Sequence, residues 1–384
     1  MNVSLRFDPI RLPASAQELR QEVRNFLAHQ IKRGVFSSSD NIASDNEAFA
    51  HAVSQKGWIG MAWPREYGGQ ERSFLERYVV NEEMLIAGAP TGRYFVADRQ
   101  SGPTLIRYAS ENIKRSILPR IIAGDASFCI GMSEPNSGSD LFAARASAKR
   151  VEGGWRLNGG KIWVSNANIS DFMIGLFRTS KPTEENRRHG LTNFLVDMKL
   201  DGITTNPIRQ MSGNADFCEV NFNDVFVPED HLIGEVDGAW KQATSELAFE
   251  RSGPERFLET FGALQAFIKL AQGADDLRLR EGVGRLVAQL YGLRRMSVSV
   301  AGMLQDGREP VTEASIVKDM GTVWEQALPA ELRRLSGLMA HEVYDVAAFR
   351  ECLDYYLRIA PKLTIQGGST EILRGIVARG LGLR

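Results

Sequence analysis

Gly131-Met-Ser-Glu-Pro-Asn-Ser-Gly-Ser-Asp140 and, further on, Lys161-Ile-Trp-Val-Ser165 are the strings on which the fold reading turns. The first is built from glycine, serine and asparagine around one proline. That is the composition of a tight loop whose backbone amides and hydroxyls come close to a polar ligand. The second reads as a strand. An aromatic and a hydroxyl two residues apart on a strand share one face. Trp163 can therefore stack on a flat ligand while Ser165 donates a hydrogen bond beside it.

Outward from these strings the chain changes character near Phe128. Trp155-Arg-Leu, Asn158-Gly-Gly and Lys161-Ile-Trp-Val read together as a hairpin, because an Asn-Gly step supplies the positive φ angles of a tight turn. Residues 172–177, 192–196 and 217–222 are further strand candidates, and Pro228 and Gly234 close the β-rich region. Upstream the chain is helical. Ser15-Ala-Gln-Glu18 fits a capping box, and Leu19, Val23, Phe26 and Leu27 follow at helical spacing. Residues 47–56, 74–87 and 113–123 continue that pattern, interrupted by the proline and glycines of 63–69. Downstream, helical periodicity covers 239–273, 276–304, 313–328 and 341–357. A glycine-rich turn, Gln366-Gly-Gly-Ser-Thr370, then precedes a last helix over 371–379. The order helical, β, helical predicts an α+β chain with domains at 1–126, 127–236 and 237–384.

Bulk properties bound the function. A chain of 384 residues is long enough for two or three packed units. Apolar residues at 43% and charged residues at 24% are ordinary globular composition. A net charge of −1 gives no general pull toward nucleic acid or an anionic membrane. Cys129, Cys218 and Cys352 lie far apart, and the five histidines show no metal-ligand spacing. The first residues lack an apolar signal core and no long apolar run follows, so a cytoplasmic location is the expectation.

Together the two strings resemble the acyl-CoA dehydrogenase family, whose middle domain has a (T/S)EPxxGSD loop followed by a WI(T/S) strand. The flanks WPREYGGQ, ITTNPI, FNDVFVPEDHLIG and QGGSTEILRGIVAR fit as well, so the resemblance spans nearly the whole chain. It implies an N-terminal helical domain, a middle β-barrel-like domain and a C-terminal four-helix bundle. It also implies FAD and the α,β-dehydrogenation of an acyl-CoA thioester to the trans-2-enoyl-CoA. By the resemblance, Ile130, Met132 and Ser133 meet the flavin's pyrimidine side, Trp163 packs along the isoalloxazine, and Ser165 sits near flavin N5. Ser369 and Glu371 lie near the flavin, and Ser139 touches the CoA arm.

The reaction needs a carboxylate base for the α-proton. Many members carry it in the C-terminal turn, where this chain has Gly367. A second family arrangement places the base on the first long helix of the C-terminal domain, and there Glu250 matches it, within Leu247-Ala-Phe-Glu-Arg-Ser-Gly-Pro254. Pro254 cannot donate to the carbonyl of Glu250 and crowds it, so a kink beside Gly253 is expected. The Gly367 N–H is expected to help hold the thioester oxygen, and Arg251 to organise the site. Glu246, one turn earlier, reads as a surface charge or a fallback base. Arg374 reads as an anchor for the last helix.

The chain departs from the family at two places. Homotetrameric members carry RxxFG and QxxGGxG motifs that reach a neighbour's FAD; residues 272–280 and 335–341 reproduce neither. The stretch Phe249-Glu-Arg-Ser-Gly-Pro-Glu-Arg-Phe257 is similar to catalytic subunits of bacterial heteromeric dehydrogenases that act on steroid side-chain thioesters. The expectations are therefore an oligomer, either self-associated or a heterotetramer with a paralogous subunit, and an electron-transfer flavoprotein as acceptor. The alternatives are a non-catalytic or half-site subunit and a flavin monooxygenase or oxidase on the same fold.

Overall fold

A computed structural model describes residues 5–37, 42–183, 185–239, 242, 251–339 and 346–383. In chain order the helices are α1 (Ala14–Lys32), α2 (Glu47–Gln55), α3 (Phe74–Ile86), α4 (Gly92–Val96), α5 (Gly102–Tyr108) and α6 (Glu111–Ala123). After the sheet come α7 (Phe261–Leu270), α8 (Leu277–Gln305), α9 (Val311–Ser336), α10 (Val346–Ile359) and α11 (Thr370–Gly380). The strands between are β1 (Phe128–Gly131), β2 (Ser147–Val151), β3 (Gly154–Ser165), β4 (Phe172–Arg178), β5 (Leu191–Asp197), β6 (Ile203–Ile208), β7 (Phe217–Pro228) and β8 (Leu232–Ile233). The α+β class expected from the sequence is what the described residues form. They cluster into two compact units. Residues 43–72 and 90–247 make the sheet unit; residues 1–42, 73–89 and 248–384 make the helical unit.

In the sheet unit the strands run β6-β7-β3-β2-β4-β5-β8, with β1 parallel beside β4. Its core gathers Trp155, Leu157, Val164, Phe177, Phe194, Val220 and Val225. The hairpin lies elsewhere than expected. β3 is one unbroken strand, and the turn sits before it, at Glu152-Gly153, where Val151 pairs with Gly154 and Gly153 takes φ +75°. Asn158-Gly159 instead faces an irregularity in β7. The register slips between Leu157 and Gly159, Asp224 takes φ +55°, and its N–H donates to Asn158 Oδ1 at 2.9 Å. A positive φ serves a bulge as well as a turn, so the dipeptide alone fits both. Gly159 has φ +124°, and a Cβ there would stand 2.7 Å from the Ala146 Cα.

The helical unit packs Phe257, Leu264, Phe267, Leu286, Leu293, Trp324, Leu328 and Leu353 into one core. The capping box expected at Ser15 is absent: α1 starts at Ala14 behind Pro13, with no side-chain cap. Ser15 lies inside the first turn of α1, past the position from which a hydroxyl accepts a helix N–H, and the extended Pro13 at the N-cap has no side-chain acceptor. A capping box does form at Ser73 and Glu76, opening α3. Buried Glu82 and Glu83 of α3 hold this unit together. Glu83 takes Arg20 and Arg24 of α1, while Glu82 takes Arg20 at 2.9 Å and Arg294 of α8 at 2.6 Å.

The single helix expected over 239–273 is broken. Residues 240–241 and 243–250 lie outside the described residues, but the chain bends at Ser252-Gly253, makes a 3-10 turn over Pro254–Arg256, and resumes as α7. Proline at 254 is the cause expected on sequence grounds. Conversely α9 passes through Pro329 and ends at Ser336, beyond the expected 328. Among the described residues no helix is long and apolar enough to cross a membrane.

Candidate active site

In the sheet unit, β1 delivers Ile130, Gly131, Met132 and Ser133 to a loop lying on β3. Ile130, Met132 and Ser133 are half-buried, and the Ile162 N–H donates to the Ser133 carbonyl at 2.9 Å. A Cβ at Gly131 would stand 2.5 Å from Met173 Sδ, so a larger residue there would displace that buried side chain of β4. The loop is closed by reciprocal backbone bonds between Glu134 and Ser137, at 2.8 and 3.0 Å, and by the Ser137 hydroxyl donating to the Asp140 carbonyl at 2.8 Å. Ser139 is exposed beside Asp140, which pairs with Arg187 at 2.9 Å.

Trp163 and Ser165 share the exposed face of β3, with Val164 buried between them. Trp163 is 52% exposed and touches Phe217 edge-on, ring centroids 6.2 Å apart. Its φ of +59° is rare for an aromatic residue and costs about 1–3 kcal/mol. A bulge between Lys161 and Val164 explains both facts. The extra residue lets Lys161 point inward while Trp163 points out, two positions that a regular strand would put on one face. An open indole face beside half-buried backbone at Ile130–Ser133 fits a planar heteroaromatic ring such as an isoalloxazine.

Two residues of this region escaped the sequence reading. Lys161 is fully buried, and its Nζ donates to Glu134 Oε1 at 2.7 Å and to the Met132 carbonyl at 3.4 Å. Glu134 also accepts from the N–H groups of Arg145 and Ala146, at 2.7 and 3.0 Å. Burial pushes the Lys161 pKa down, and Glu134 opposes that shift. The available signal was an acidic residue in the loop and a lysine that is the one charged residue of the 157–165 part of its strand.

In the helical unit, Gly367 and Gly368 take φ +72° and +106°, so the turn after residue 366 needs glycine twice. Buried Arg251 donates through Nε to the Gly367 carbonyl at 3.0 Å. The Ser297 hydroxyl donates to the carbonyl of the adjacent Ser252. Ser369 occupies the N-cap position of α11 without a side-chain cap hydrogen bond, and Glu371 sits in the first turn. Backbone hydrogen bonding first, then the Ser369 hydroxyl and Arg374, hold the Glu371 carboxyl below its usual range. Arg374 reaches Asp319 of α9 at 3.3 Å and so anchors α11, as its position in the sequence suggested. Arg251 and Gly367 are thus brought together. Glu246 and Glu250 lie outside the described residues.

Comparison with known proteins adds an independent line. Residues 13–125, 129–225 and 266–382 match, in turn, the family profiles of the acyl-CoA dehydrogenase N-terminal, middle and C-terminal domains. The chain is 30% identical to acyl-CoA dehydrogenase FadE26 of Mycobacterium tuberculosis, over 95% of this chain and 96% of that one. It is 32% identical to acyl-CoA dehydrogenase IpdE1 of the same organism, over 96% and 97%. Among solved structures, the Tcur3481-Tcur3483 steroid ACAD superposes with a TM-score of 0.84 at 27% identity, covering 97% of this chain and 98% of its own. The ChsE4-ChsE5 complex from Mycobacterium tuberculosis gives 0.84 at 28%, covering 98% and 99%.

Proposed function

The chain belongs to the acyl-CoA dehydrogenase family, oxidoreductases acting on CH–CH donors, and from that premise we propose that it converts an acyl-CoA to its trans-2-enoyl-CoA with Glu250 as the base. FAD, when bound, supplies the two-electron acceptor for the β-hydrogen. Ile130, Met132, Ser133, Trp163, Ser165, Ser369 and Glu371 are the proposed flavin contacts, with Trp163 offering its open face and Ser165 a hydroxyl. Glu250 takes the α-proton. The Gly367 N–H holds the thioester oxygen, which makes that proton more acidic. Arg251 fixes the turn through the Gly367 carbonyl, and Ser139 meets the CoA arm. The observation that carries the reading is the exposed Trp163 held at positive φ beside the Ile130–Ser133 backbone, in a chain matched by all three family profiles.

The test is anaerobic bleaching of the bound flavin by a panel of acyl-CoAs, wild type against Glu250→Gln. The variant keeps the side-chain shape and is expected to bleach about 10²–10⁴-fold more slowly, the usual worth of a general base. Equal rates would remove Glu250 from the mechanism. Rapid bleaching by straight short chains alone would refute the bulky, steroid-type acyl group that the likeness to the steroid ACAD favours.

A second reading concerns assembly: the chain works as one half of a heteromer whose paralogous partner supplies the missing motifs. Residues 272–280 and 335–341 carry neither expected motif, and two similar structures are named as pairs of proteins. A chain purified alone with substoichiometric FAD, filled on co-expression with a paralogue, is the expected result; full occupancy alone argues for self-association. An electron-transfer flavoprotein is the proposed acceptor. The cytoplasm is the proposed location, in keeping with three free cysteines.

A further inference from the structure

We propose that the buried Lys161–Glu134 pair is the positioning device of the flavin surface, a single ammonium that locks the loop carrying Met132 and Ser133 to the strand carrying Trp163 and Ser165. The proposal rests on the reading of those four residues as flavin contacts.

Four observations converge on it. Lys161 has no exposure at all, yet it stands two residues before Trp163, which is 52% exposed. A buried lysine is costly unless it is fully used, and this one is: Glu134 lies at 2.7 Å, the Met132 carbonyl at 3.4 Å, and the Phe177 ring at 5.2 Å from Nζ. Glu134 in turn gathers the Arg145 and Ala146 amides, so the two ends of the loop meet on one carboxylate. Finally, the bulge that turns Lys161 inward is the same bulge that holds Trp163 at φ +59°. The ammonium and the strained indole are therefore two outcomes of one backbone irregularity, and holding the first inward holds the second outward.

A purely architectural pair would stabilise the sheet without regard to the flavin. The two roles separate because an apolar or neutral replacement of both partners restores stability but not direction. Lys161→Met, Glu134→Gln and the double variant are compared by thermal melting, by the dissociation constant for FAD from flavin fluorescence, and by the reduction potential of the bound flavin. Glu134→Gln keeps the side-chain shape but a single acceptor oxygen, so one of the Arg145 and Ala146 N–H groups loses its partner; melting of this single variant reads that cost apart from the loss of the ammonium. Lys161→Met is expected to lower the melting temperature, and the double variant to recover most of it. FAD affinity is expected to stay reduced at least tenfold in both, with a displaced reduction potential.

Recovery of FAD affinity in step with melting temperature would overturn the positioning role while leaving the flavin site intact. So would a folded Lys161→Met that binds FAD within twofold of wild type. A wild-type protein that binds no FAD even with its paralogue would overturn the reading of Met132, Ser133, Trp163 and Ser165, and the positioning role with it.

Discussion

Gly368 shows what a single position decides. An added Cβ would find Arg251 Nη2 at 3.5 Å, an ordinary contact, so space is available; the obstacle is φ +106°. Gly368→Ala is expected to destabilise the protein by about 1–3 kcal/mol through backbone strain alone, and to raise KM for the thioester as the turn beside Gly367 shifts. Unchanged melting and unchanged KM would show that the turn tolerates a side chain. The residue scale also shows how much of the site was legible. Trp163 and Ser165 are singled out by the family resemblance, with their two-residue spacing in agreement, and both are exposed on β3. Arg251 could be placed beside Gly367 only through the family resemblance, because 116 residues separate them and no periodicity spans that gap. Lys161 and Glu134 went unread because a lysine on a strand looks like a solvated charge until a bulge turns it inward.

At the scale of elements, the sequence named most helices and several strands but misassigned the hairpin. Apolar runs such as Phe172–Arg178 of β4, buried almost end to end, show as strands by their length and residue types. The turn beside them depends on pairing. Asn-Gly at 158–159 carries the stronger local turn signal, yet the turn is at 152–153, because β2 pairs Ser147–Val151 against Gly154–Asn158. This has a measurable consequence. Nothing lies within 4 Å of a Cβ at Gly153, whereas one at Gly159 stands 2.7 Å from Ala146. Gly153→Asn is therefore expected to be near neutral, since asparagine tolerates the left-handed region. Gly159→Asn is expected to cost about 2 kcal/mol or more, from strain plus overpacking. Denaturant unfolding of the two variants checks this. Equal costs would place the turn where the dipeptide suggested.

At the scale of the whole molecule, stability depends on charges that the fold removes from water. Glu325 of α9 is 2% exposed and accepts the N–H groups of Glu259 and Thr260 at 2.6 and 3.3 Å. Lys362 pairs with Glu259 at 3.2 Å, and Lys318 donates to the Leu363 carbonyl at 3.0 Å. Burial, then the charge of Glu259, pushes the Glu325 pKa up from 4.5 to about 8. The folded protein thus holds this proton where the unfolded chain has lost it. The Glu325 contribution to stability is full below pH 4.5, falls as pH rises toward about 8, and stays lost above that. Glu325→Gln keeps the acceptor without the titration. Its unfolding free energy from denaturant titration is expected to approach wild type near pH 4.5 and to exceed it near pH 8.5 by an amount on the order of a few kcal/mol. A constant difference across that range would mean that Glu325 does not titrate there.

The sequence by itself determined the family, the α+β character and the two strings that frame the proposed flavin surface. Those are properties of local composition, and a loop or a strand face is written within a few residues. The tertiary structure alone decided that α1 and α3 join the C-terminal helices through Arg20, Arg24, Glu82, Glu83 and Arg294, that Arg251 grips the Gly367 carbonyl, and that Lys161 turns in while Trp163 turns out. Each of these joins groups far apart in the chain, or depends on one extra residue in a strand register. Charges and backbone groups find partners by distance in space, which no spacing along the chain records.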